Sequence, residues 1–319
     1  MRAVMFSSYG PPEVLTPVEL PVPVPTGDQV QVRVHATTVT SAECGMRRGE
    51  PRWGRIILGP LRPRAGVRVL GLEFAGEVTA AGPRVRRFRV GDRVFGFTGF
   101  AVGANAEYKC LSEKASLTTI PANVSYEQAA ATVDGFTTAW HFLHGLAGIR
   151  AGQRVLVIGA SGSIGTYAVQ IAARAGATVH GVCGGRNVKL VESLGAERVF
   201  DYSREDFTRS GERYDAVFDT VTRSSFAACR PVLTPRGCYL PTTHLINNVL
   251  AIRTALGRGP RVRTGMSVRK HAALADLRTL LEQDALQVVI DRTYPLSEIV
   301  EAHRHVDSGH KSGNVVITV

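Results

Sequence analysis

The residues best placed to do chemistry lie in the run Gly159-Ala160-Ser161-Gly162-Ser163-Ile164-Gly165, which joins the apolar segment Val155-Leu156-Val157-Ile158 to a helical pattern. A glycine-rich turn lets main-chain N–H groups approach a pyrophosphate, and the start of a helix adds about half a positive charge there. Gly162 permits the close approach, and Gly165 permits tight packing of helix on strand. Ala160 replaces the first glycine of the usual fingerprint. A strand before the turn, a helix after it and a second strand beyond form the context in which such a turn binds a dinucleotide.

The end of that second strand bears on which dinucleotide. A site for the unphosphorylated ribose places Asp or Glu there, to bond the 2′-hydroxyl. Here the chain reads Gly181-Val182-Cys183-Gly184-Gly185-Arg186-Asn187-Val188-Lys189, with no carboxylate. Arg186 can fork onto a 2′-phosphate, and Lys189 can add a point charge. This favours NADPH. The alternative is that both are solvated charges at the start of a helix.

Such sites need a scaffold. From Arg154 strands and helices alternate: helix over 164–175 stopped by Gly176, strand over 178–182, helix over 187–194 stopped by Gly195, then strands at 216–218 and 238–240. Strands apolar on both faces belong in a parallel sheet covered by helices, so this part is read as a doubly wound α/β unit. Ahead of it, 30–36 alternates with period two, and 76–80 and 92–96 are strand-like. Ser125 and Gln128 have the spacing of a capping box, opening a helix expected to run to Leu146 with an interruption near Gly135. Residues 50–69 are rich in Arg, Pro and Gly with no period, and are expected to form a long substrate-facing loop. An amphipathic helix is expected over 270–286, with Leu274, Leu277 and Leu281 on one side, and a closing strand over 314–319.

The chain has 319 residues, 44% of them hydrophobic, enough for two domains of ordinary size. No apolar run is long enough to span a membrane, and the N-terminus lacks a signal-peptide layout, so a cytoplasmic protein with no membrane partner is expected. The formal net charge is +11. The arginines are dispersed, with no basic block interleaved with aromatics, so nucleic acid is not expected as the main partner. The five cysteines (Cys44, Cys110, Cys183, Cys229 and Cys238) are odd in number and include no C-x-x-C pair, which argues against a disulfide framework or a cysteine zinc knot.

Several segments together carry a family resemblance. They are Gly71-Leu72-Glu73-Phe74-Ala75-Gly76-Glu77-Val78, Phe88-Arg89-Val90-Gly91-Asp92-Arg93-Val94-Phe95-Gly96, the 159–165 turn, Leu194-Gly195-Ala196 before Asp201-Tyr202, and Gly309-His310-Lys311-Ser312-Gly313-Asn314. Over nearly its whole length the chain resembles the medium-chain dehydrogenase/reductase superfamily, in its zinc-free quinone oxidoreductase branch. The resemblance implies a GroES-like β-rich catalytic domain (1–123 and 269–319) around a Rossmann NADP-binding domain (124–268). It also implies a homodimer joined at the sheet edge near 262–268. At the cofactor it implies Ser161, Ser163 and Ile164 at the pyrophosphate and Gly184 and Arg186 at the 2′-phosphate. Tyr202 would lie beside the adenosine, unless it is a core tyrosine. Thr220 and Leu240 would lie along the ribose and nicotinamide, and His310, Lys311 and Ser312 would close over the cofactor.

Zinc-dependent relatives hold their metal with a Cys, a His-Glu pair and a further Cys or Asp. The matching positions here are Thr40, Leu72-Glu73 and Asp134. Leu72 cannot ligate and Thr40 is a poor zinc ligand, so no metal is expected. Without a Lewis acid, reduction of a quinone or an α,β-unsaturated carbonyl by NADPH fits better than alcohol oxidation, and a biosynthetic enoyl reductase is a close variant. Thr40, Glu43, Trp53, Asp134 and His141 fall in segments that resemble active-site walls. Thr40, Glu43 and Asp134 are the candidate catalytic residues, with Glu43 alternatively structural and His141 alternatively a packed histidine. A non-redox isomerase or cyclase, or a cofactor-binding protein whose role is interaction with RNA, is the competing reading.

Overall fold

The computed structural model describes residues 1–242, 245–267 and 270–319. The chain forms two compact units, 1–134 with 268–319 and 135–267. The expected break at 123/124 falls earlier than this one. The reason is that the helix opening at Tyr126 starts in the first unit, where Tyr126 stacks on His35 at 4.3 Å and under the Arg93 guanidinium at 4.7 Å.

The first unit contains β1 (Arg2–Phe6), β2 (Leu15–Glu19), β3 (Gln29–Val39), α1 (Ser41–Arg48), α2 (Arg55–Leu58), β4 (Glu73–Ala81), β5 (Arg93–Phe97), β6 (Tyr108–Ser112) and β7 (Ser116–Thr119). α3 (Tyr126–Trp140) leads into the second unit. That unit holds β8 (Arg154–Ile158), α4 (Ser163–Arg174), β9 (Thr178–Cys183), α5 (Val188–Ser193), β10 (Arg198–Asp201), β11 (Tyr214–Asp219), α6 (Phe226–Cys229), β12 (Leu233–Pro241), α7 (Leu245–Ala255) and β13 (Arg261–Val262). The chain then returns to the first unit with α8 (His271–Glu282), β14 (Ile290–Pro295), α9 (Ile299–Asp307) and β15 (Asn314–Thr318).

In the first unit the main sheet runs β14-β15-β3-β4-β5-β7, with β6 also paired to β3. β3 buries Val30, Val32 and Val34 alternately, as its period requires, and then Ala36 to Val39 without a break, where it enters the middle of the sheet. α8 buries Ala273, Leu274, Leu277 and Leu281, one stripe at helical spacing.

The second unit is a six-stranded parallel sheet of order β10-β9-β8-β11-β12-β13. β8 has β9 on one side and β11 on the other, so the winding reverses at β8. Ligands of doubly wound sheets bind at the carboxyl ends of the strands at this switch point. Val155, Leu156 and Val157 are fully buried, which the apolar run foretells.

Three local expectations need correction. α3 is continuous through Gly135, whose Cβ position would lie 2.8 Å from the Ser163 carbonyl oxygen, so that glycine lets helices approach closely. The change of geometry comes later, in a π-helical turn, His141–Ala147. Residues 50–69 are not a plain loop: they carry helical turns at Arg52–Gly54, Arg55–Leu58 and Ala65–Val67. The edge strand expected over 262–268 is only Arg261–Val262, and Val268 lies outside the described residues.

Candidate active site

The dinucleotide turn leaves β8 at Gly159, whose φ of +77° favours glycine. Ala160, the departure from the fingerprint, is fully buried, and its main-chain N–H donates to Val182 O at 3.0 Å. Room for its methyl comes from β9: a Cβ on Gly181 would stand 3.1 Å from the Ala160 Cβ. Gly162 is the N-cap of α4 and has no side chain to cap with, so the helix start is left to main-chain donors. A Cβ on Gly165 would lie 2.1 Å from Gly159 O, which is why only glycine fits there. Ser161 Oγ accepts a hydrogen bond from Asn187 Nδ2 at 3.0 Å, tying this turn to the one after β9. Ser163 and Ile164 form the first turn of α4. Thr220, after β11, donates to Ile158 O at 2.9 Å and so closes the other side of the turn. These residues fit a pyrophosphate, with the main-chain donors of a helix start behind a glycine cap.

After β9, Arg186 and Lys189 are exposed. Tyr202 is 67% exposed, which excludes the core-tyrosine alternative, and a Cβ on Gly184 would lie 3.2 Å from its hydroxyl. The second strand does end without an acid, but Asp201 of β10 reaches the same turn: a Cβ on Gly185 would stand 2.5 Å from its Oδ2. The Asp201 carboxyl is held below its usual range by hydrogen bonds from Ser203 N–H and hydroxyl, aided by Arg204 and the Gly185 N–H. It arrives from the neighbouring strand β10, where Asp201 pairs with Cys183, and not from the run that follows β9. Leu240 is fully buried in β12, so its side chain belongs to the sheet core. Behind these strands Asp219 accepts from the N–H of Ser224 at 2.9 Å and from the Tyr239 hydroxyl at 2.9 Å, shaping the loop that carries Thr220.

In the first unit the structure gathers a charged network around Glu73, the first residue of β4. Glu73 is fully buried. The Thr38 hydroxyl donates to its Oε1, and the Asp134 main-chain N–H donates to its Oε2 at 2.5 Å. Lys270 Nζ lies 2.7 Å from Asp134 Oδ1 and 4.3 Å from the centre of the Phe97 ring. Burial, reinforced by the Asp134 carboxylate, pushes the Glu73 carboxyl up to about 8 against the pull of Thr38, the Asp134 N–H and Lys270. Lys311, half-buried in the loop before β15, donates to Gly313 O at 2.6 Å; burial pushes its ammonium down to about 8, and Glu73 and Asp291 oppose this. His310 is exposed and Ser312 half-buried in the same loop.

The other two catalytic candidates sit elsewhere in this unit. Thr40 is the N-cap of α1, its hydroxyl accepting from the Glu43 N–H at 3.1 Å. Glu43 is sealed in a separate cluster: it accepts from Asn105 Nδ2 at 2.6 Å and lies 3.4 Å from His303 Nε2, which itself is fully buried. Cys44 Sγ is 3.3 Å from His303 Nδ1, and the buried Arg47 bonds the same ring and Asp307. A carboxylate so enclosed braces α1 against α9, which favours the structural alternative for Glu43. Trp53 is exposed, and His141 lies in the second unit, edge-on to Phe142.

These donors do not suit zinc. Leu72 is apolar, Thr40 is used as a cap, both Glu73 oxygens already accept from the protein, and a lysine ammonium occupies the neighbourhood of Asp134.

The family described as "Alcohol dehydrogenase GroES-like domain" matches residues 26–122, and that described as "Zinc-binding dehydrogenase" matches 194–317. A quinone-oxidoreductase homolog, chloroplastic, of Spinacia oleracea is 30% identical over 99% of this chain and 98% of its own length. The chain belongs to the medium-chain dehydrogenase/reductase superfamily, in its quinone oxidoreductase-like branch. The chloroplast envelope quinone oxidoreductase homolog of Arabidopsis thaliana is 29% identical over 99% of this chain and 98% of its own. The solved quinone oxidoreductase from Coxiella burnetii superposes with a TM-score of 0.91 at 30% identity, over 100% of this chain and 99% of that one. Membership makes the first unit the GroES-like part and the second the Rossmann-type part of a superfamily member. Among the described residues no helix is long and apolar enough to cross a membrane.

Proposed function

We propose that this chain reduces a quinone or an α,β-unsaturated carbonyl with NADPH, without a metal. The observation that carries this reading is the Glu73–Asp134–Lys270 network standing where a zinc ligand set would be, in a chain that keeps its dinucleotide turn. When bound, the reduced nicotinamide supplies a hydride. The α4 N-terminus holds the pyrophosphate, and Arg186 with Lys189 favours the 2′-phosphorylated form, two exposed cations against the single Asp201 carboxylate. Hydride addition to such an acceptor leaves an oxyanion, which positive donors stabilise and a proton must neutralise. Glu73 holds a proton at neutral pH, Thr38 and the Asp134 N–H fix its orientation, and Lys270 is paired with the Asp134 side chain beside it. Glu73 is buried, so it acts as a positioning and proton-holding residue behind the half-buried Asp134.

NADPH consumption with 1,4-benzoquinone, measured before and after treatment with a chelator, tests this reading. Turnover that survives chelation, in protein holding no stoichiometric zinc, is expected. Activity lost on chelation and restored by zinc would contradict it.

A further inference from the structure

Residues 51–72 include no acidic side chain but five arginines: Arg52, Arg55, Arg62, Arg64 and Arg68. Among the described residues none of the five is paired with a carboxylate. Arg55 donates to Gly49 O and Arg48 O and lies over the Tyr9 ring, Arg64 donates to Ile56 O, and Arg68 donates to Pro63 O. Arg48, just ahead of the segment, is by contrast paired with both Glu50 and Asp307. The same segment exposes large apolar side chains: Trp53 is 51% exposed, Ile56 74% and Leu61 88%. Trp53 and Ile56 lie in short helical turns, and Leu61 in the bend that follows them.

Single exposed apolar residues are ordinary on a protein surface. Three within one short stretch, set among guanidinium groups that have no carboxylate partner among the described residues, match the chemistry of a bilayer interface. There arginines meet anionic headgroups, tryptophan sits at the headgroup level and aliphatic tips enter the acyl boundary. We propose that residues 51–68 dock this protein on the surface of a lipid bilayer that carries anionic headgroups, with Trp53, Ile56 and Leu61 entering the interface. The association is peripheral and revises the expectation of no membrane partner. Nucleic acid would satisfy the charge, but single strands are gripped by stacking bases on aromatic rings, and the segment has only Trp53. A second basic and apolar stretch, from α7 to β13, flanks a strand edge that is unpaired among the described residues, so another copy of the chain suits it better than a bilayer.

The test is sedimentation of the full chain with vesicles of phosphatidylcholine, alone or mixed with phosphatidylglycerol, at low salt. Binding to the mixed vesicles that weakens with added salt is expected, with none to phosphatidylcholine alone. Emission from Trp53, read in a Trp140→Phe background, shifts to the blue on binding. Replacing Arg52, Arg62 and Arg64 together with Gln weakens partitioning about a hundredfold. Ile56→Ser with Leu61→Ser weakens it while every charge is kept. Replacing Arg223, Arg230 and Arg236 with Gln removes as much charge elsewhere and leaves binding unchanged. Circular dichroism and thermal unfolding establish that each variant is folded. No binding to the mixed vesicles overturns the proposal, as does binding that persists in both segment variants or that leaves Trp53 emission unmoved. Single-stranded RNA that displaces the vesicles and is itself lost in the arginine variant would assign the surface to nucleic acid instead.

Discussion

Arg186 is exposed at the end of β9 and takes part in no ion pair among the described residues, so its effect on cofactor choice is separable from folding. A charge-assisted hydrogen bond to phosphate is worth about 1.5–3 kcal/mol, or roughly ten- to a hundredfold in affinity. Arg186→Ala should weaken NADPH by that factor and leave NADH nearly unchanged. Dissociation constants for both cofactors at fixed salt check this, and equal weakening of the two would contradict it. Glu73 makes a prediction in pH. Its carboxyl binds a proton more tightly folded than unfolded, so the folded state holds the extra proton between the ordinary carboxylate range and about 8. Stability from this group is therefore full at low pH and is lost as pH rises through that window. Lys311, pushed down to about 8, acts above it with the opposite slope. Glu73→Gln should flatten the fall in melting temperature between about pH 5 and 8. A fall as steep as that of the parent would refute the raised carboxyl. At this scale the exposed position of Arg186, in the turn after β9, was legible from the strand and the glycines that follow it. The Lys270–Asp134 pair was not, since 136 residues separate its members and neither has a local signature.

Among the elements, a tight constraint lies where α4 crosses the turn. A methyl on Gly165 would overlap the Gly159 carbonyl, and main chain cannot swing away as a side-chain tip can. Gly165→Ala should destabilise the protein by about 1–3 kcal/mol, read from urea unfolding, and should weaken dinucleotide binding. Unchanged stability would mean that helix and strand are packed more loosely. The parallel strands and their helices were readable in advance because burial on both faces writes itself as continuous apolar runs, and Ser125 with Gln128 marked α3 by reciprocal capping bonds of 3.1 and 3.0 Å. Gly135 misled, because a helix glycine that admits a neighbouring chain looks in sequence like a breaker. The turns of 52–58 were hidden by Gly and Pro, which signal loops whether or not a short helix lies between them.

At the scale of the whole molecule, the Rossmann-type sheet ends in β13, a two-residue strand with one edge unpaired among the described residues, beside Val249, Ile252 and Leu256, all exposed. Open edges and apolar flanks are commonly covered by a symmetric copy, so we propose a homodimer. Light scattering at micromolar concentration should give twice the mass of the chain; a clean monomer would contradict it. The central claim is hydride transfer from NADPH to an electron-poor acceptor. It is tested most directly by NADPH carrying deuterium at the nicotinamide C4, incubated with 1,4-benzoquinone and with simple α,β-unsaturated ketones, with coenzyme and products followed by mass spectrometry. The structure predicts, for at least one acceptor, oxidised coenzyme and reduced acceptor formed one for one, with deuterium at the β-carbon when the acceptor is an enone. Acceptors left unchanged across the panel, or converted without coenzyme oxidation as by an isomerase or cyclase, would contradict it.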